Sequence, residues 1–170
     1  MITINRTKLQ EVIAGYKKYF PAHIADEIYK WKAVKHFQDN WDIEAPDFLA
    51  MFWEATATFD NLLTSMNHFP RGMVKGMYES EPDTVREMFR DLFEESKPLE
   101  ARVNKFRAEA DRIREQYWPD KMHYQDFNAI STYLWARYPD KYYIYKYSEI
   151  RATTRALDSS YVVRQGADAA

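Results

Sequence analysis

A chain of 170 residues with 46% apolar side chains suits one domain with a real core, and its 4 glycines are too few for the tight turns of an all-β protein. The lack of cysteine excludes disulfide staples, thiolate zinc sites and thiol catalysis. A net charge of −2 predicts neither nucleic-acid nor membrane binding. No stretch approaches the roughly 18 uncharged apolar residues that span a bilayer, and Met1 to Arg6 opens no leader-like apolar run. A cytoplasmic protein with no membrane partner is expected.

Apolar residues recur at helical spacing almost throughout. Leu9, Val12, Ile13 and Tyr16 predict a first helix, with Asn5 or Thr7 as its cap. Pro21 stands where a second helix would begin. Its buried face would be Ile24, Ile28, Trp31 and Val34, with Lys30, Lys32 and Lys35 turned to solvent. Pro46 opens a long third helix whose stripe runs through Phe48, Met51, Phe52, Ala55, Phe59, Leu62, Leu63 and Met66. Residues 67–82, punctuated by Pro70, Gly72, Gly76 and Pro82, read as a short helix between turns.

Pro82 then starts a helix with Val85, Met88, Phe89, Leu92 and Phe93 on one side. Pro98 breaks it, and Leu99, Val103, Phe106, Ala110, Ile113 and Tyr117 continue as another. Phe127, Ile130, Tyr133 and Leu134 form the next, ended before Pro139. Lys141 to Tyr147 is rich in β-formers and reads as extended, after which Ser148 would cap a last helix through Ile150, Thr154 and Leu157. The expected fold is all-α: a single multi-helix domain of about seven or eight helices over residues 1–158, with one short extended Tyr-rich segment. Residues 159–170 are polar with no clear element and read as an interdomain linker.

Charge is unevenly spread. Residues 1–40 carry 7 basic and 4 acidic side chains, residues 41–100 carry 5 and 13, and residues 101–170 carry 12 and 9. The acidic middle is thus flanked by two mildly basic parts, which would make one basic face if they met in space. Solvated helix surfaces are the plainer reading.

Motifs for catalysis are missing or incomplete. Pro82-Asp83 followed by Glu95-Ser96-Lys97 fits the Pro-Asp…Glu-x-Lys pattern in which nuclease carboxylates hold Mg²⁺ and a lysine orients water. That site is built on strands, whereas residues 85–93 have helical periodicity. His23, His36, His68 and His123 form no chelating pair, and no nucleophile elbow accompanies them. Gly72 to Gly76 lacks the Lys-Ser/Thr of a phosphate loop. Asp91, Glu94, Glu95 and Glu100 are dense enough to hold a cation but read as a solvated helix end. No catalytic residue, metal or cofactor is expected.

The densest chemical signal is Arg137 to Tyr147, where five tyrosines and three cations share eleven residues. Tyrosine offers a face for base stacking and a hydroxyl for a phosphate, and lysine and arginine neutralise backbone charge. Arg151 and Arg155, one helical turn apart, would extend the same surface. The candidate nucleic-acid-binding residues are therefore Arg137, Lys141, Tyr143, Lys146, Arg151 and Arg155. The competing reading packs the tyrosines against the core with their hydroxyls at the rim.

The stretch from Phe127 to Lys146, a short helix followed by the Tyr138-Pro139-Asp140-Lys141-Tyr142 turn and a Tyr-rich piece, resembles a segment upstream of the motor in McrB-like AAA+ proteins of modification-dependent restriction systems. The tail from Tyr161 to Asp168 resembles the polar linker that follows it there. The match covers about residues 127–168; before that it is general helical character with Trp31 and Trp53. No Walker motif has a counterpart in this chain. The resemblance implies a non-catalytic N-terminal accessory or recognition domain of such a motor, with DNA, the motor domain of the same polypeptide and a nuclease subunit as partners. The alternative is a helical protein–protein module with no nucleic-acid contact, using the acidic middle third as its face.

Overall fold

The computed structural model describes residues 2–64 and 68–163. The chain is all-α, and eight helices lie among these residues: α1 (Arg6–Asn40), α2 (Phe48–Ala55), α3 (Asp60–Leu63), α4 (Pro70–Ser80), α5 (Pro82–Leu92), α6 (Leu99–Tyr117), α7 (Phe127–Arg137) and α8 (Tyr147–Ala156). They fall into two units, a larger one from Lys32 to Ile144 and a smaller one made of the residues up to Trp31 together with those from Tyr145 onward. No helix is long and apolar enough to cross a membrane among the described residues.

The larger unit is built on aromatic packing. Phe37, Phe48, Phe52, Phe59, Phe89 and Phe106 are all buried. Phe89 is their hub: its ring meets those of Tyr133 and Phe106 edge-on at 5.2 Å and lies 5.5 Å from Phe52 and Trp41. Edge-to-face contacts of this kind add to the area that each ring buries. α7 runs through this core with Ala129, Ile130 and the whole run from Thr132 to Ala136 buried, so it has no solvent face of ordinary width. Its start is fixed by Asp126, whose side chain accepts from the Ala129 amide at 2.9 Å.

Proline opens three helices as its missing N–H and fixed φ allow. Pro70 and Pro82 occupy the first turns of α4 and α5, and Pro98 is the N-cap of α6. Pro46 leads into α2, where Asp47 caps the Ala50 amide at 2.9 Å. Along α5, Val85, Met88, Phe89 and Leu92 share the buried face, as the periodicity requires.

Four local expectations are corrected. Pro21 does not separate two helices, because α1 is one helix of 35 residues with Pro21 inside it. The proline removes one intrahelical bond, and the freed carbonyl of Lys17 stays within reach of water because no described residue of α1 before Ala33 is buried. For the same reason Ile24, Ile28 and Trp31 do not face a core; they are 41%, 37% and 52% exposed. The expected long helix from Pro46 is interrupted after Ala55, although Phe59, Leu62 and Leu63 are buried. Arg71 accounts for the interruption: its guanidinium donates to the Trp53 carbonyl at 2.8 Å and to Thr56 Oγ1 at 3.0 Å, and it lies 4.2 Å over the Trp53 ring. That satisfies the α2 C-terminus, so the chain can turn there. Met66 of that stripe lies outside the described residues. Finally, Ser148 is inside α8, whose N-cap is Lys146 with no side-chain cap bond.

In the smaller unit the two chain ends are joined. The Asn5 amide donates to the Leu157 carbonyl at 2.8 Å, and the Ser160 amide donates to the Thr3 carbonyl at 3.0 Å. Asn5 Oδ1 caps α1 at the Lys8 amide, and Lys8 Nζ pairs with Asp158 at 2.8 Å. Of the residues read as a linker, 164–170 lie outside the described residues.

Candidate nucleic-acid interface

The six candidate residues divide between the two units. Arg137, Lys141 and Tyr143 belong to the larger one, and Lys146, Arg151 and Arg155 to the smaller.

In the larger unit the Tyr-rich segment is partly architectural. Arg137 closes α7, half-buried, with its guanidinium 5.3 Å from the Tyr138 ring centroid. The chain then turns, the Lys141 and Tyr142 amides both donating to the Tyr138 carbonyl. The Tyr138 hydroxyl donates to the Phe93 carbonyl at 2.8 Å. The Tyr142 hydroxyl donates to Glu95 Oε1 at 2.9 Å and accepts from the Arg102 guanidinium at 2.7 Å. Lys141 Nζ reaches the same carboxylate oxygen at 2.6 Å. The Lys141 ammonium, helped by the Tyr142 hydroxyl, holds the Glu95 carboxyl below its ordinary range, and Glu95 in return raises Lys141. A cation held this way has already spent part of its field on an internal partner. Tyr143 differs from both neighbours, since it is 79% exposed.

In the smaller unit Lys8 and Lys30 pair with Asp158 and Glu27, but the three candidate cations have no such partner among the described residues. Lys146, Arg151 and Arg155 are exposed, and among the described residues none of the three lies within ion-pair distance of a carboxylate. Arg151 sits 5.9 Å from the ring centroid of Tyr147, which is half-buried. Tyr145 is also half-buried, and burial raises its phenol above the ordinary range. Arg151 and Arg155 share one face of α8 because they are one turn apart. Sequence reasoning did not single out Arg6, Lys17 and Lys18, which are exposed in the same unit. The unit as a whole has nine Lys and Arg against six Asp and Glu, whereas the larger unit has fifteen against twenty.

The other chemical candidates are engaged structurally. Asp91, only 6% exposed, pairs with Lys97 and Lys105, which hold its carboxyl below the ordinary range, Lys105 first. Glu94 accepts from the Ser96 amide at 3.1 Å. The Glu95-Ser96-Lys97 triplet of the nuclease pattern is thus committed to Lys141, Tyr142 and Asp91. His123 and Asp111 are 3.2 Å apart, and burial lowers the imidazole despite the carboxylate. His68 meets Asp126 at 3.1 Å, and His36 meets the Glu54 carbonyl at 2.9 Å. Gly72 and Gly76 lie within α4, so their amides are not arranged as a loop around a phosphate. Among the described residues no group of three His, Cys, Asp or Glu side chains is placed to hold a metal ion.

Arg102 is the residue that sequence reasoning overlooked in the larger unit. It is 4% exposed on the buried face of α6 with Phe106, Ala110 and Ile113, and it donates to the carbonyls of Leu92 at 2.6 Å and Lys97 at 3.1 Å. Its position four residues before Phe106 on an apolar stripe was the available signal. Compared with family models, curated proteins and solved structures, the chain matches none.

Proposed function

We propose that the chain is a non-catalytic, cytoplasmic N-terminal accessory domain of a McrB-like restriction motor that contacts DNA through the basic surface of its smaller unit. The observation that supports this reading is the exposure of Lys146, Arg151 and Arg155 without a carboxylate partner among the described residues, in a unit with a positive charge balance. Phosphate oxygens are the ligands that such cations lack, and each neutralised phosphate releases counterions. In the larger unit, taken by itself, Tyr143 is exposed and offers a separate face on which an unpaired base can stack. Lys141 is a weaker contributor than the sequence suggests, because Glu95 holds it.

Fluorescence anisotropy with modified and unmodified duplex DNA at two salt concentrations tests the reading. Binding should weaken steeply with salt, and the Arg151→Glu/Arg155→Glu double variant should lose most of it with its helix content unchanged. No binding at low salt, or equal binding by the double variant, overturns it. A salt-insensitive complex with a protein partner in place of DNA would instead favour the protein–protein module.

A further inference from the structure

Eighteen large apolar side chains are exposed among the described residues, and twelve of them are in the smaller unit. Most line one helix. In α1, Val12, Ile13, Tyr16, Ile24 and Ile28 are 37–63% exposed, Trp31 is 52% exposed, and Leu9 and Phe20 are half-buried. Their spacing is three or four residues, so they form one stripe along about six turns of helix. Tyr16 and Phe20 already touch along it, at 5.3 Å between centroids. With Tyr19 at its margin, the stripe presents on the order of 700 Å² of side-chain surface, taking 150–250 Å² for each aromatic ring and somewhat less for each aliphatic chain. Solvated apolar patches of that size mark interaction sites, and about 800 Å² per partner is what a stable pair buries.

We propose that this face of α1, from Leu9 to Trp31, docks antiparallel on the same face of a second copy of the chain. Charge selects both the partner and the direction. In an in-register parallel pair Lys17 stands beside Lys17 and Glu27 beside Glu27, which repels at both places. In the antiparallel register where facing residue numbers sum to 44, Lys18 lies opposite Asp26, and Lys17 lies opposite Glu27, which Lys30 of its own helix also reaches. The same register sets Ile13 against Trp31, Tyr16 against Ile28 and Phe20 against Ile24, so apolar residues meet over the central turns, while Val12 and Leu9 lie under the aliphatic stems of Lys32 and Lys35 at the two ends. It also brings the two Pro21 residues beside the twofold axis, where any departure of one helix from straightness is matched by its copy.

Light scattering and sedimentation of the full chain should show a dimer at concentrations up to about 100 µM. Ile24→Glu puts a charge into the apolar seam and should weaken association by more than about tenfold. Ile24, Lys17 and Glu27 are all exposed, so circular dichroism of the charge variants should show unchanged helix content. Lys17→Glu should weaken the dimer about threefold, and adding Glu27→Lys should restore it. Since the chain has no cysteine, Ile13→Cys and Trp31→Cys chains can be mixed and oxidised. The expected product is the mixed disulfide. A chain that stays monomeric, an Ile24→Glu variant that associates like the parent, or a preference for Ile13→Cys chains to link to each other overturns the proposal.

Discussion

The guanidinium of Arg102 and the hydroxyl of Tyr142 meet at 2.7 Å, 40 residues apart in the chain. Through this contact a side chain on the buried face of α6 fixes the loop that follows α7, while its other donors close the turn after α5 at Leu92 and Lys97. The arrangement works because a guanidinium has several donors in one plane, each aimed at a different oxygen. Arg102→Leu should cost about 2–4 kcal/mol, since it leaves those oxygens without donors under partial burial. Urea unfolding checks this. Arg102→Lys should recover less than half, because an ammonium cannot span the three acceptors.

Phe89 should be the most costly aromatic to truncate. Its ring touches those of Trp41, Phe52, Phe106 and Tyr133, on four other segments of the larger unit. Phe89→Ala is expected to lower stability by about 3–5 kcal/mol, with the higher value if the neighbouring rings cannot close the cavity. Phe89→Leu should lose appreciably less. Equilibrium denaturation of the two variants separates volume from ring geometry.

Glu81 gives the fold an acid-sensitive contact. Arg112 donates to both of its carboxylate oxygens, and this holds Glu81 at about 2. The folded value is depressed, so the stabilisation is complete above the unfolded carboxyl range near 4.5 and is lost as pH falls from there toward 2. Arg112 is partly solvated, with 43% side-chain exposure, so the pair is screened and contributes on the order of 1 kcal/mol. Glu81→Gln should lower the melting temperature at neutral pH and shrink the fall between pH 4.5 and 2. A parent and variant that lose stability in parallel over that range would contradict this.

Much of the fold can be read from local signals, and the exceptions have a common origin. The starts at Pro70, Pro82 and Pro98 follow from what proline does to its own residue. Pro21 misleads because a solvated helix tolerates the lost bond, which depends on burial and not on the residue. The end of α2 is equally invisible locally: the apolar phase continues through Phe59 to Leu63, and the break is stabilised by Arg71, fifteen residues beyond Thr56. At the candidate interface, the exposure of Arg151 and Arg155 agrees with their pattern on a short polar helix, and Lys146, its N-cap, is exposed as well. The pairing of Lys141 with Glu95, 46 residues away, could not be seen in that pattern.

Tyr142 and Tyr143 show the same distinction in adjacent residues. The first has its hydroxyl between Arg102 and Glu95, and the second is 79% exposed. Tyr142→Phe keeps the ring and removes only that hydroxyl, so it should cost about 1–2 kcal/mol of stability through the hydrogen bonds to charged groups. Its effect on DNA binding should be small. Tyr143→Ala should change stability by less than about 0.5 kcal/mol, as expected for a solvated side chain. If its ring stacks on a base, the same substitution should weaken single-strand binding by about 1–3 kcal/mol. Melting curves and anisotropy titrations on both variants test the pair together. A Tyr143→Ala chain that binds single strands as tightly as the parent would remove Tyr143 from the candidate contacts of the larger unit.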